Sequence, residues 1–339
     1  MDLLVGVHPQ LDAAVRDALA AVCSAASVAV AVSGGADSAM LAVHAAHAAR
    51  VQGRAVRLFH IHHGLYATAD DWADHVGKLA DWLDLPLDLA RVSVDASLGL
   101  GVEAAARDAR YAALADLARR HGVPVVLLAH HRHDQAETLL LRLLRGTGPD
   151  GMAGMASQTR RDGVCYLRPW LATDRRLILA QARRWADATG WHAVVDPSNE
   201  DARYARGAVR TLLAPTLDAH WPGWRDNLAR HARQAADAAL ILNEVAQTDF
   251  AGLEPSEDAR SLSLAAWRRL APSRQALVLR YWFGRHGVRM PTEAKLAELM
   301  RQLRQLHALG HDRQMLFEHG TVQVRCVRAR VTMQARPSR

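Results

Sequence analysis

From residue 28 the chain alternates valine with alanine, Val28, Val30 and Val32 enclosing Ala29 and Ala31. Such a short apolar run predicts a fully buried strand. After Asp37 the apolar positions Met40, Leu41 and Val43 fall on a helical stripe, which predicts a helix over 36 to 51. The pattern then repeats. Apolar runs predict strands at 56 to 63, at 87 to 94 more weakly, and at 123 to 131, while spacings of three and four predict helices over 69 to 83, 103 to 121 and 133 to 145. Strands regularly separated by helices build a parallel sheet, because each parallel pair needs a crossover. The expected fold class is α/β, a Rossmann-like parallel sheet with helices on both faces, followed by a mainly helical C-terminal domain. In such sheets ligands sit beyond the carboxyl ends of the strands where strand order reverses. Three predicted strand ends carry polar clusters, SGGADS, HIHHG and AHHRHD.

After Arg145 the stretch GTGPDGMAGM holds four glycines in ten residues, too many for a helix interior, and reads as a loop that would serve as a mobile lid. A last α/β-like piece runs to DPSNEDARYARGAVRTLL, and WPGW at 221 to 224 marks a boundary. The expected domains are 1–218 and 219–339. The second has helical patterns at 224 to 247, 263 to 286 and 291 to 308, and its tail TVQVRCVRARVTM alternates like a strand, with a slip near Cys326 and Val327 that suits a bulge.

Composition adds little to the fold but something to the partners. The 339 residues, half of them hydrophobic, suffice for two domains with cores. No apolar segment reaches the roughly 18 residues of a membrane span, and MDLLVGVHPQ has no basic region ahead of an apolar one, so a cytoplasmic location and no membrane partner are expected. Cys23, Cys165 and Cys326 are too few and too far apart for a disulfide framework or a thiolate zinc site. The net charge of +7 is unevenly placed. Residues 1 to 139 hold 11 Lys+Arg against 16 Asp+Glu, while residues 140 to 339 hold 31 against 19. Lys78 and Lys295 are the only lysines. A basic, arginine-rich half suits a polyanion, and equally suits solvated arginines in an alanine- and arginine-rich sequence.

The turn SGGADS is no Walker-type loop, since no lysine precedes a Ser or Thr and the glycine spacing differs. Its strand–turn–helix setting aims free N–H groups and a positive helix end at one spot, which suits an anion. Asp37 beside phosphate would repel it unless a divalent cation lay between, so Asp37 implies Mg²⁺ shared with a nucleotide. Ser33 and Ser38 add hydroxyl donors. Two glycines alone would need no ligand; both serines and the aspartate in one six-residue turn favour one.

SGGADS resembles the SGGxDS signature of the N-type ATP pyrophosphatases, which cleave ATP between the α and β phosphates and adenylate a carbonyl oxygen. HIHHGL at 60 to 65, EAAARDARY at 103 to 111, AHHRHDQAETLLLRLLRGTGPDGMAGM at 130 to 155, LRPWL at 167 to 171 and DPSNEDARYARGAVR at 196 to 210 are similar, in order and spacing, to the tRNA(Ile)-lysidine synthase family within them. The resemblance spans the catalytic domain and extends more loosely through the helical part. It implies an adenine nucleotide hydrolase-like fold, with 1–218 catalytic and 219–339 tRNA-binding. It implies ATP and Mg²⁺ as cofactors, and as partners free lysine and the isoleucine tRNA with a CAU anticodon; a homodimer is left open. The implied reaction is ligation of lysine to C2 of the wobble cytidine through an adenylated intermediate, releasing AMP and pyrophosphate.

On that resemblance Ser33, Gly34, Gly35, Ala36, Asp37, Ser38, His62 and His63 form the ATP site, with Asp37 also holding the metal. Asp134 and Glu137 lie three apart at the start of a helix and share a face. They are assigned the lysine ammonium group; a capping aspartate beside a solvated glutamate gives the same spacing. Arg110, with Arg107 on the same face, is placed to neutralise the triphosphate or the leaving AMP, though a surface salt bridge with Glu103 or Asp108 fits equally. The expected catalytic set is Asp37, Arg110, Asp134 and Glu137. Arg145 is eleven residues beyond Asp134, about 16 Å along a helix, too far for ATP and suited to an RNA backbone. Arg203, Arg206 and Arg210 fit the same role, and each is equally explained as a solvated arginine.

Two departures from the family pattern stand out. His62 and His133 replace residues that are often acidic, which leaves the metal's ligand set open, and Gly207 replaces a common asparagine. The histidines at two strand ends also admit a zinc or iron site. Rival functions are a tRNA thiolase, which would need cysteines that the motifs lack, and a tRNA-binding homologue that has lost catalysis. The chain stops just after VQVRCVRARV, where long family members carry a further domain; a short form and a truncation both fit.

Overall fold

The computed structural model describes residues 7–22, 26–62, 64, 69–93, 102–196, 201–306 and 315–337. They form two compact units, 1–235 and 236–339, divided within one long helix.

The first unit is built on a six-stranded sheet. Strands β1 (Ser27–Ala31), β2 (Ala55–His62), β3 (Leu87–Arg91), β4 (Val125–Leu127), β5 (Gln158–Arg161) and β6 (Val164–Leu167) lie in the order β3-β2-β1-β4-β6-β5. All neighbours are parallel except β5 and β6. Val30 of β1 is flanked by Leu58 on one side and Leu127 on the other. Strand order therefore reverses between β1 and β4, and a crevice opens beyond their carboxyl ends. Helices α1 (Pro9–Ala20), α2 (Ala36–Val51), α3 (Ala69–Leu83), α4 (Val102–Arg120), α5 (Arg132–Leu144) and α7 (Arg175–Thr189) accompany the strands. The two faces of the sheet carry separate cores, one containing Val28, Val30, Met40, Leu41, Trp170 and Trp185, the other Ala29, Phe59, Leu114, Val126 and Tyr166. Alternate residues of β1 thus serve opposite faces, as the pleat requires. Helix α2 is buried through almost its whole length, and its alanines let it pack closely on several sides.

The four helices expected between 36 and 145 start and end within one residue of the observed ones, while the one expected over 224 to 247 runs on to Ala251; three local features of this unit also differ. The predicted strand 123 to 131 shrinks to β4, because His131 leaves the sheet to cap α5. The glycine-rich segment contains the short α6 (Pro149–Met152) and is tied to α5: Arg142 donates to the Gly151 and Gly154 carbonyls, and Gln135 exchanges two hydrogen bonds with the Met155 backbone. The hairpin β5–β6 turns through Asp162 and Gly163, both with positive φ. Downstream come α8 (Ala205–Ala208), a π-helical turn (Val209–Leu213), α9 (Ala214–His220) and α10 (Trp224–Ala251).

In the second unit the expected helix over 263 to 286 is interrupted. A strand β7 (Ser261–Ser263), α11 (Leu264–Arg269) and α12 (Pro272–Arg285) take its place, with Pro272 at the first turn of α12. Helix α13 (Glu293–Gln305) and strands β8 (Met315–His319), β9 (Val322–Val327) and β10 (Arg330–Ala335) complete the unit. The strands form an antiparallel sheet in the order β7-β10-β9-β8, over a core of Trp267, Trp282, Phe283, Leu299 and Val324. The slip near Cys326 and Val327 is a hairpin turn at Arg328 and Ala329, both with positive φ, not a bulge.

Candidate active site

A cavity of about 810 Å³ opens at the switch point, lined from the ends of β1, β2 and β4, the starts of α2, α5 and α7, and residues within 193–196 and 206–225. Gly34 turns the chain with φ +91°, a conformation suited to glycine. Gly35 then caps α2 without a side-chain bond, so the first-turn amides at Ala36 to Ser38 have no side-chain acceptor. The two serines brace this turn. The Ser38 hydroxyl accepts from the Ser33 N–H (3.1 Å) and donates to the Gly35 carbonyl (3.1 Å), and the Ser33 hydroxyl accepts from the Gly35 N–H (3.4 Å). The Gly34 carbonyl accepts from the Val194 N–H, which ties the turn to the opposite wall.

Asp37 is gripped by a residue that the sequence reading did not single out. Arg175, the first residue of α7, donates through Nε and Nη2 to the carboxylate at 3.0–3.3 Å. His131 accepts the Asp134 amide at Nδ1 and sets Nε2 3.6 Å from Asp37. Burial would raise the Asp37 pKa, but hydrogen bonds and charge from His131 and Arg175 outweigh it and bring it down to about 2.

Asp134 and Glu137 both reach the cavity and are 8% and 7% exposed. Asp134 closes a capping box with His131, accepting its N–H at 3.0 Å. Although burial opposes charge there, neighbouring histidines and Arg206 hold its pKa below the ordinary carboxylate value. The capping role and the shared acidic face are both present. Arg206 and Arg210 line the same cavity. Arg210 donates to Glu137 at 2.7 and 2.9 Å and to Asp134 at 3.4 Å, and Arg206 lies 3.5 Å from Glu137. Arg203 is 86% exposed on its side chain and pairs with Asp201, and Arg145 is exposed at the end of α5. Of the four arginines assigned to RNA, two therefore stand at the acidic pair and two at the surface.

Arg110 lines the cavity with its Nε buried and without a hydrogen-bond partner, whereas Arg107 is exposed beside the Tyr111 ring. Asp108 pairs with Arg161, and the Glu103 side chain lies outside the described residues. His62 is buried beside Asp70 and Arg91 at the cavity wall; His63 lies outside the described residues. Burial lowers the pKa of His130 to about 3 and of His133 to about 4, so both rings are neutral at pH 7. Gly207 is explained by space, since a Cβ there would overlap the Asp201 carbonyl oxygen.

Among the described residues no group of three or more His, Cys, Asp or Glu is placed to hold a metal ion. Mg²⁺ commonly takes one or two carboxylates and completes its shell with water and substrate phosphates. An ionised Asp37 at the head of an amide cradle fits an ion of that kind, arriving with the nucleotide.

The chain matches the family described as PP-loop domain over residues 7–217 and that described as TilS substrate binding domain over residues 262–332. It is 63% identical over 306 residues to a tRNA(Ile)-lysidine synthase of Bordetella pertussis, covering 90% of this chain and 95% of that protein. A tRNA(Ile)-lysidine synthase of Ralstonia nicotianae is 46% identical over 280 residues, 82% of this chain and 58% of that longer protein. Among solved structures, the U34-tRNA thiolase NcsA of Methanococcus maripaludis superposes with a TM-score of 0.55 at 16% identity, covering 66% of this chain and 77% of that one. That likeness shows the shared fold alone.

Proposed function

Because this chain belongs to the tRNA(Ile)-lysidine synthase family, we propose that it ligates lysine to C2 of the wobble cytidine of an isoleucine tRNA with a CAU anticodon. The observation that carries the reading is the single cavity that brings the PP-loop cradle, residues 33–38, together with the Asp134–Glu137 pair. In the first step the cytosine C2 oxygen attacks the α-phosphate of ATP, the α–β bridging bond breaks, and its electron pair leaves with pyrophosphate. In the second, the deprotonated ε-amine of lysine attacks C2, the C2–O bond breaks with its electron pair leaving on AMP, and the new nitrogen substituent releases a proton.

The α2 amides and Asp37 hold the phosphate end, and Mg²⁺ bound with the nucleotide supplies charge neutralisation there. Arg110 faces the negative charge that develops on the departing AMP. Asp134 and Glu137 receive the ammonium group of lysine, and Arg210, already bonded to both, keeps the carboxylates ionised and oriented. The neutral His133 leaves this wall less negative than an acid would, which eases the approach of the triphosphate. Holding both reactants in one cleft supplies the alignment, and excluding water protects the adenylate. Exposed Arg145 and Arg203 contact the RNA backbone.

A thiolase reading finds no support at the cavity. Among the described residues, Cys165 lies buried in β6 and Cys326 buried in β9, and neither lines the cavity. The proposal is tested by supplying labelled lysine, ATP and an isoleucine tRNA transcript. Label joined to that transcript and not to a methionine tRNA transcript is expected; label joined to neither contradicts the reading.

A further inference from the structure

The cradle has no lysine of its own, so something else must meet the charge on the departing pyrophosphate. The cavity offers five arginines, Arg110, Arg175, Arg206, Arg210 and Arg225. Arg206 and Arg210 are committed to the acidic pair. Arg110 contacts neither the cradle nor Asp37 through any hydrogen bond, and Arg225 pairs with Asp218. Arg175 alone of the five bonds to a residue of the cradle's helix, through two of its nitrogens on Asp37.

That contact is a contradiction if it is permanent. Asp37 is the carboxylate suited to the magnesium that accompanies the nucleotide, and a guanidinium in contact with both of its oxygens competes with the ion for them. The pair is also partly exposed, with Arg175 at 40% and Asp37 at 22%. The arginine side of the pair is open to solvent, so breaking the contact does not strand its guanidinium in a dry interior. Arg175 starts α7 at a fixed point on the cavity wall, with Asp174 capping the helix behind it. A guanidinium released there remains within side-chain reach of the cradle and is geometrically matched to two phosphate oxygens.

We propose that Arg175 is a pyrophosphate-binding residue that exchanges partners. It holds Asp37 when the cradle is empty, and moves to the β- and γ-phosphate oxygens when Asp37 turns to the metal. During adenylation it would then meet the electron pair that collects on the leaving pyrophosphate as the α–β bridge breaks. This rests on the functional reading above, but its test does not depend on lysine or tRNA.

The experiment measures equilibrium binding of pyrophosphate and of AMP to the 339-residue chain by calorimetry, for wild type, Arg175→Met, Arg175→Lys, Asp37→Asn and the Asp37→Asn/Arg175→Met double variant. If Arg175 touches phosphate, Arg175→Met weakens pyrophosphate about tenfold or more, the ratio expected for one lost charge-assisted hydrogen bond. The loss recurs in the Asp37→Asn background, AMP affinity stays unchanged, and Arg175→Lys recovers part of the loss. If Arg175 acts only by bracing Asp37, the second substitution has no effect once Asp37 is neutral; that result, or equal loss of AMP affinity, overturns the proposal. Circular dichroism melting of each variant separates either outcome from misfolding. Wild-type protein that binds pyrophosphate through Arg175 yet joins no lysine to tRNA would sink the functional reading and leave this one standing.

Discussion

Arg210 holds Glu137 in a two-pronged grip, Nε to Oε1 at 2.7 Å and Nη2 to Oε2 at 2.9 Å, across 73 residues of chain. Glu137 is 7% exposed, so the carboxylate has little water to fall back on. Removing the guanidinium leaves two acids facing each other in a cleft. Arg210→Met should destabilise the chain by roughly 2–4 kcal/mol, and adding Glu137→Gln should restore part of that. Urea unfolding of the two variants checks it; additive losses would show that the pair is not coupled.

At the cradle the backbone itself is the testable element. Gly34 sits at φ +91°, while a Cβ there would meet Val194 and Val76 only at ordinary contact distance. The penalty for Gly34→Ala is therefore conformational, about 1–3 kcal/mol. Because the turn aims the α2 amides, ATP affinity should fall by tenfold or more with a small change in melting temperature. Nucleotide titration and thermal melting together measure this, and unchanged ATP affinity would mean that the amides do not hold the phosphates.

A pH effect is expected from His44, remote from the cavity. Its Nδ1 donates to the Met40 carbonyl (2.7 Å), so Nε2 is free to accept from the His8 N–H (3.0 Å). Burial brings its pKa from 6.5 down to about 4. Between those values the unfolded chain binds the proton and the folded chain does not, so stability rises with pH across this window. The contribution is complete above about pH 6.5 and is lost as pH falls toward 4, on the order of 3 kcal/mol at full extent. Denaturant unfolding at pH 7.5 and pH 5 should show a smaller pH difference in His44→Gln than in wild type; an equal difference would assign the effect elsewhere.

RNA contact by Arg145 predicts a particular signature. Arg145→Ala should weaken tRNA binding and lower the salt dependence of the affinity by about one phosphate contact, with ATP affinity unaltered. Filter binding at several salt concentrations reads both quantities. A weakened affinity with an unchanged salt slope would speak against a phosphate contact.

Much of the first unit was legible because its pattern is local. The Val–Ala alternation before SGGADS marks β1, and helix α2 runs over the predicted 36 to 51. The Asp162–Gly163 dipeptide between TRR and VCYL is a known hairpin signal, and a reading weighted toward longer apolar runs passes over the four-residue strands beside it. The Arg328–Ala329 turn carries no such signal, since neither residue favours positive φ, and there the pattern looked like one slipped strand. The acidic pair could be placed on one face from spacing alone. Its partners could not: Arg175 meets Asp37 across 138 residues, and Arg210 meets Glu137 only because the segment after α7 folds back over α5. Long-range charge pairing leaves no periodic trace, so Arg206 and Arg210 resembled surface arginines.

The most direct measurement is isotope exchange between pyrophosphate and ATP, with and without the isoleucine tRNA transcript and in the absence of lysine. If the PP-loop cradle activates a base oxygen of that RNA, exchange requires the transcript, proceeds without lysine, and is abolished by Asp37→Ala. Exchange that persists in Asp37→Ala, or that runs equally fast without RNA, would contradict the account.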